Sequence, residues 1–214
     1  NGLPWRKNIS PYRVWISEIM LQQTQVKTVI PFFKKFTKKY PSLKSIASAS
    51  EDEILALWTG LGFYRRAKNI YKAKEIIKKE YKNKFPRKFN ELLSLPGIGQ
   101  STAGAIMSIA YKKPYPILDA NVKRVISRYK KINMREKGVT KKLWSLSESL
   151  TPAKNIFEYT QGIMDLGATA CASRSPNCAE CPVNNSCESA FGTFEINKKT
   201  KKEKSRKKIH FTLA

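Results

Sequence analysis

Four cysteines, Cys171, Cys178, Cys181 and Cys187, fall in one seventeen-residue stretch with the spacing C-x6-C-x2-C-x5-C. Four thiolates supplied by one short loop can surround a tetrahedral sulfur site, which means zinc or an iron–sulfur cluster. A pair of disulfides is the competing reading. Such frameworks belong to small secreted chains, and no charged-then-apolar signal segment opens this sequence. Spacing alone does not separate zinc from iron. The only histidine, His210, lies in the last residues, so acid–base chemistry in the body of the chain must fall to its carboxylates.

Three of the sixteen carboxylates are flanked by apolar residues on both sides: Glu18, Asp119 and Asp165. On a helix, Glu18 shares a face with Val14, Trp15 and Leu21 and is expected to be at least partly buried. Burial without a cation raises a carboxyl pKa and keeps a proton available for donation. Asp119 follows Pro116-Ile117-Leu118 and precedes a helix, the place of an N-cap whose side chain is ionised and fixed. Asp165, in mid-helix beside Gly167, reads as a structural hydrogen-bond hub. Leu95-Pro96-Gly97-Ile98-Gly99 joins two short helices by a tight hairpin, where Gly97 and Gly99 let the backbone approach an anion closely. An ordinary helix–helix turn would look the same.

Charge decides between those readings. Lys and Arg number 41 against 16 Asp and Glu, a net +25. The run 195–214 holds eight of these cations and two acids, so it supplies +6 and leaves +19 in the body. A body this basic implies a polyanion, and nucleic acid is the default. The hairpin then reads as a phosphate grip, which fixes register without reading bases. No apolar run of about 18 residues is present to span a bilayer, so a membrane partner is not expected.

The elements that must carry these groups are helical. Ser10-Pro11 reads as an N-cap with a first-turn proline, and Ser50-x-x-Glu53 as a capping box. Gly60 and Gly62 stop the second of these helices, and a long basic helix follows from about 63 to 81. Further helices are expected at about 120–131, 140–149 and 154–169. With no period-2 run, the class is all-α. Residues 195–214 read as a linker or tail, ending in a strand-like Ile209–Leu213.

The hairpin LPGIGQSTAGA, the segment ILDANVKRV and the cysteine loop together resemble the helix-hairpin-helix DNA glycosylase superfamily. Within it, LPW (3–5), PYRVWISEIMLQQTQV (11–26) and LWTGLGFYRRAKN (57–69) resemble the MutY-type adenine DNA glycosylases. The resemblance implies a six-helix barrel domain (21–132) and a helical 4Fe-4S cluster domain built from 1–20 with 133–194. It is the resemblance that favours iron over zinc at the four cysteines. The implied reaction is hydrolysis of the N-glycosidic bond of adenine mispaired with 8-oxoguanine or guanine in double-stranded DNA. Glu18 would protonate the base, and Asp119 would stabilise the oxocarbenium-like sugar. Arg6, Val26, Ser101 and Asn121 would line the adenine pocket or support Asp119. Gln23, Leu61 and Phe63 would fill the gap left by the extruded base and read the opposite one.

Two departures stand out. The family usually has Tyr where this chain has Phe63, and the C-terminal Nudix-like domain of MutY-type proteins would begin where the sequence ends. A catalytic core with a weakened preference for 8-oxoguanine over guanine is the expectation. Bifunctional relatives place Lys at the position of Ser101, so a monofunctional glycosylase is expected over an endonuclease III-like or thymine-mismatch enzyme; Lys123 is the nearest alternative amine. A non-catalytic iron–sulfur DNA-binding module would need neither Glu18 nor Asp119. The implied protein is a monomer in a reducing compartment, cytoplasmic and nucleoid-associated, or else nuclear or mitochondrial.

Overall fold

The computed structural model describes residues 2–192. Among them the regular structure is entirely helical, as the patterning requires. A short 3₁₀ turn, Pro4–Arg6, is followed by α1 (Pro11–Leu21), α2 (Val26–Lys39), α3 (Leu43–Ile46), α4 (Glu51–Trp58), α5 (Arg65–Glu80), α6 (Phe89–Leu93), α7 (Gln100–Ala105), α8 (Ala120–Tyr129), α9 (Val139–Leu150) and α10 (Ile156–Ala168). The basic run and the strand-like Ile209–Leu213 lie outside the described residues.

Local chemistry sets the helix starts. The Ser10 hydroxyl accepts the Arg13 N–H at 3.2 Å with Pro11 behind it, so α1 begins where the sequence says. Ser50 and Glu53 close their capping box reciprocally, at 3.1 and 2.9 Å. Gly60 and Gly62 follow α4 with φ of +97° and +77°. The basic helix starts at Arg65 rather than 63, because Phe63 itself takes a left-handed φ of +50° and cannot join the helix.

α1 is the central element, packed against α2, α5, α7 and the turn that follows α7. Trp15, Ile16, Ile19 and Met20 are all buried, and Val14 and Ser17 with them, so this helix is enclosed on nearly every side. α2 shows the opposite pattern: Val29, Phe33 and Phe36 face inward, while Lys27, Lys35 and Lys38 point to solvent. α7 does not stop as an α-helix. Ile106–Ala110 continues it in π geometry, an insertion that sequence periodicity does not reveal. This π turn packs on α1 and α10, and α10 also packs on α8.

Two glycines permit the closest approaches. A Cβ at Gly104 on α7 would lie 2.1 Å from the Pro116 carbonyl oxygen, and one at Gly167 on α10 would lie 2.8 Å from the Asn121 Cβ on α8. Gly162, on the exposed face of α10, has nothing within 4 Å. Gly104→Ala is therefore expected to lower stability by roughly 3 kcal/mol or more, since backbone must move. Gly162→Ala should raise it by about 0.5–1 kcal/mol through unfolded-chain entropy. Urea unfolding of both variants measures the contrast, and equal effects would mean that the 115–119 segment is not clamped by α7.

Candidate active site

Glu18 sits midway along α1, half-buried in a helix whose other buried positions are hydrophobic apart from Ser17. Burial first and the charge of Asp119 second together raise its carboxyl from 4.5 to about 8. The two half-buried carboxyls are therefore near enough for their charges to interact, although 101 positions separate them in sequence. Asp119 is the N-cap of α8: its Oδ1 accepts the Val122 N–H at 2.7 Å with extended backbone, as the sequence predicts. One carboxyl is thus kept neutral near pH 7, and the other is fixed at a helix N-terminus, where negative charge is favoured.

The chain leading to Asp119 is held residue by residue. Tyr115 stacks on Phe89 with centroids 4.7 Å apart and planes 13° from parallel. The Ser101 hydroxyl accepts the Leu118 N–H at 3.0 Å. Ser101 thus anchors backbone next to Asp119, a task its sequence position alone does not disclose. Asn121, on the first turn of α8, has its amide oxygen bonded by the Arg124 guanidinium at 2.9 Å. The same guanidinium donates to the Gly167 carbonyl and, at 2.9 Å, to the Cys171 carbonyl. One cation therefore links the first turn of α8, α10 and the cysteine loop.

Cys171, Cys178, Cys181 and Cys187 are free and half-buried, and all four line one small cavity. Among the described residues, no group of three or more His, Cys, Asp or Glu side chains is set to hold a metal ion. The loop is tied to the last turns of α8. Arg128 donates to the Ala172 and Ser173 carbonyls at 2.7 and 3.0 Å and reaches the Cys171 sulfur at 3.5 Å, and the Glu188 N–H meets the Tyr129 carbonyl at 3.0 Å. α8 thus carries Asp119 at one end and grips the thiol loop at the other.

Two turns project beside the hairpin. Gln23, between α1 and α2, is exposed with φ of +57°; Phe63, before α5, is 58 % exposed with φ of +50°. Left-handed geometry at non-glycine residues costs about 1–3 kcal/mol each and needs support. Arg66 supplies it. Only 7 % exposed, its guanidinium donates to the carbonyls of Ile19 (3.1 Å), Met20 (2.7 Å) and Gln22 (2.6 Å) at the end of α1, and to Gly62 (3.1 Å) in the other turn. It also lies over the rings of Trp58 and Phe63, at 5.4 and 5.2 Å. Leu61, between them in the second turn, is 5 % exposed and packs on the core. The hairpin adjoins this assembly: Gly97, at φ +82°, packs against Asn69 of α5, and its carbonyl accepts from the Gln22 amide at 3.4 Å. Gly99 is exposed at the start of α7.

The remaining expected residues lie at the margins. Val26 is half-buried at the first position of α2. Arg6 is held bidentately by Asp165, one bond at 2.9 Å, which docks the N-terminal turn on α10 and makes Asp165 the hub its sequence setting suggests. Arg66 and Arg124 are not distinguishable in sequence from the many solvated cations. No helix among the described residues is long and apolar enough to cross a membrane.

The raised Glu18 pKa has a stability consequence. Its folded value, about 8, lies above the unfolded 4.5, so the neutral form stabilises the fold fully below pH 4.5 and loses that contribution as pH rises through 8. Glu18→Gln stays neutral. Its stability should match the parent near pH 4 and exceed it by up to about 3 kcal/mol at pH 7. Thermal unfolding across pH 4–9 checks this; curves that stay parallel would mean that Glu18 is not desolvated.

Comparison with known proteins places this geometry in context. Residues 16–149 match the model of the HhH-GPD superfamily base excision DNA repair proteins. The chain is 52 % identical over 187 residues to an adenine DNA glycosylase of Buchnera aphidicola subsp. Acyrthosiphon pisum, covering 86 % of this chain and 53 % of that protein. It is 38 % identical over 196 residues to the adenine DNA glycosylase of Homo sapiens, covering 86 % of this chain and 36 % of that one. Among solved structures, a thermostable thymine-DNA glycosylase superposes with a TM-score of 0.79 at 31 % identity, over 89 % of this chain and 88 % of that one. The chain spans about half the length of the Buchnera relatives it matches.

Proposed function

The chain belongs to the HhH-GPD superfamily of base excision DNA repair proteins, and from that premise we propose that it is a monofunctional adenine-specific DNA N-glycosylase. The observation that carries the proposal is the carboxyl pair: a Glu18 that keeps its proton to about pH 8, facing an Asp119 carboxylate fixed at an N-cap. Adenine is a poor leaving group as an anion. Proton donation from Glu18 to N7 lets it depart neutral as the bond from N9 to C1′ lengthens. The positive charge that grows on the sugar is met by Asp119, and water completes the hydrolysis. Glu18 thereby holds the proton that its task requires.

The target base must leave the stack before it can reach Glu18. Gln23, Leu61 and Phe63, on the two turns tied together by Arg66, would fill the vacated space and meet the opposite base. Gly97 and Gly99 grip phosphate, Val26 and Asn121 border the pocket, and Arg6 braces it through Asp165. The substrate is double-stranded DNA with adenine opposite 8-oxoguanine or guanine, bound by a monomer that works with the genome, nucleoid-associated in the cytoplasm. Names of relatives at 38–52 % identity support adenine as the base. Ser101 supports the monofunctional reading, because its hydroxyl is committed to backbone and no lysine occupies its place.

The four cysteines would hold a 4Fe-4S cluster. Four soft donors around one shared cavity suit a cluster whose corners each take one thiolate. Bound there, the cluster supplies cross-linking and redox-active iron. The second, cluster-bearing body would comprise 1–20 and 133–194, beside the barrel of 21–132.

Single-turnover assays on duplexes with A opposite 8-oxoguanine, A opposite G, T opposite G and an oxidised pyrimidine test the proposal. Adenine should be released from the first two, leaving an intact abasic site. Glu18→Gln and Asp119→Asn should each slow release by about 10²–10⁴-fold with duplex binding within a few-fold, because the phosphate-gripping charge is elsewhere. Strand cleavage by the parent would move it to the endonuclease III branch. Purified protein should carry about four irons per chain; one zinc instead would overturn the cluster assignment.

A further inference from the structure

Four serines are buried among the described residues: Ser17, Ser108, Ser127 and Ser147. Three of them donate to the carbonyl three positions back in their own helix: Ser17 to Val14, Ser108 to Ala105 and Ser127 to Arg124. That bond is the common resting state of a helical hydroxyl and costs the fold little. Ser147 differs. From α9, with 2 % exposure, it donates to the Ile117 carbonyl at 2.7 Å, thirty residues away in sequence and outside any helix.

The Ile117 carbonyl and the Leu118 N–H belong to one peptide group. Its oxygen is held by Ser147 of α9, and its N–H is held by Ser101 of α7 at 3.0 Å. A peptide group is planar, and in the trans form these two atoms point to opposite edges. Bonds on both edges from two different helices therefore fix the plane against rotation. The next residue is Asp119. The same segment is pressed from a third side, where Gly104 lets α7 approach the Pro116 carbonyl. The contact is also well sealed: Ile117 is 2 % exposed, so water cannot replace a lost hydroxyl cheaply.

We propose that Ser147 is a positioning residue for Asp119: it acts through the Ile117–Leu118 peptide, as the counterpart of Ser101, to aim the carboxylate at the reacting sugar. The proposal rests on the reading of Asp119 as the group that meets the oxocarbenium charge. Ser147 touches no substrate and changes no protonation state. Its contribution is geometric, and displacements of about 1 Å in such constellations cost on the order of a hundredfold in rate.

The test compares single-turnover adenine release at saturating enzyme for Ser147→Ala, Ser108→Ala and Asp119→Asn. Both serine deletions remove one buried hydroxyl, but Ser147→Ala also leaves the sealed Ile117 carbonyl unpaired, so its loss in Tm should be the larger. Ser147→Ala should also slow release by roughly 10–100-fold, with duplex affinity unchanged, whereas Ser108→Ala keeps the parental rate. In an Asp119→Asn background, Ser147→Ala should add nothing. Ser147→Thr against Ser147→Val, alike in shape but not in hydroxyl, isolates the hydrogen bond from packing: Thr should exceed Val by at least about tenfold. A Ser147→Ala rate equal to that of Ser108→Ala, or equal rates for Thr and Val, would overturn the positioning role. An Asp119→Asn protein with the parental rate would instead sink the catalytic reading beneath it.

Discussion

Keeping a proton on Glu18 at neutral pH is the constraint around which this structure is arranged. A carboxyl exposed to water gives up that proton well below pH 7. Retaining it requires an apolar setting and a nearby negative charge, and both are costly to fold. α1 provides the first because neighbours enclose it on nearly every side, leaving Glu18 as its one acidic residue. The N-terminus of α8 provides the second, where the Val122 N–H holds the Asp119 carboxylate and the helix end favours its charge. The site is thus built at the expense of stability, as active sites that hold mismatched charges generally are.

Such an arrangement works only if the two groups cannot drift apart, and the surrounding elements are understandable as restraints. The 115–119 segment has no regular structure of its own, so nothing in its own backbone pattern would hold it. It is held instead by a ring stack at Tyr115, by a close glycine approach at Pro116 and by serines on both edges of the peptide before Asp119. Beyond it, α8 runs as one rigid element to the cysteine loop, with Arg124 and Arg128 fastening that loop by its backbone carbonyls. The projecting turns follow the same logic. Gln23 and Phe63 take strained backbone conformations, and a single buried guanidinium, bonded to carbonyls of both turns, keeps them there.

Much of this is legible in the sequence because it is local. Ser10-Pro11, the Ser50–Glu53 box and the Asp119 cap are decided within one helical turn, and the structure realises each of them. Glu18 betrays itself by its apolar helical neighbours. What stays hidden depends on partners distant in sequence. Arg66 is one of 41 cations until the ends of α1 and α4 converge on it, and Ser147 sits in an unremarkable Ser-Leu-Ser-Glu run. Ser101 was visible as a position, but its bond to Leu118 was not. The π turn after α7 left no periodic trace, because one inserted residue shifts the apolar pattern without breaking it.

The account stands on the coupled state of two carboxyls, and that state can be observed without any substrate. With the side-chain carboxyl carbons of glutamate labelled, an NMR titration from pH 4 to 10 should show one glutamate, assigned to Glu18 by its loss in Glu18→Gln, titrating near 8. In Asp119→Asn the same signal should titrate at lower pH, because one of the two causes of the shift is gone, yet remain above the ordinary range because burial persists. A Glu18 signal that titrates near 4.5 in both proteins would contradict the account at its foundation.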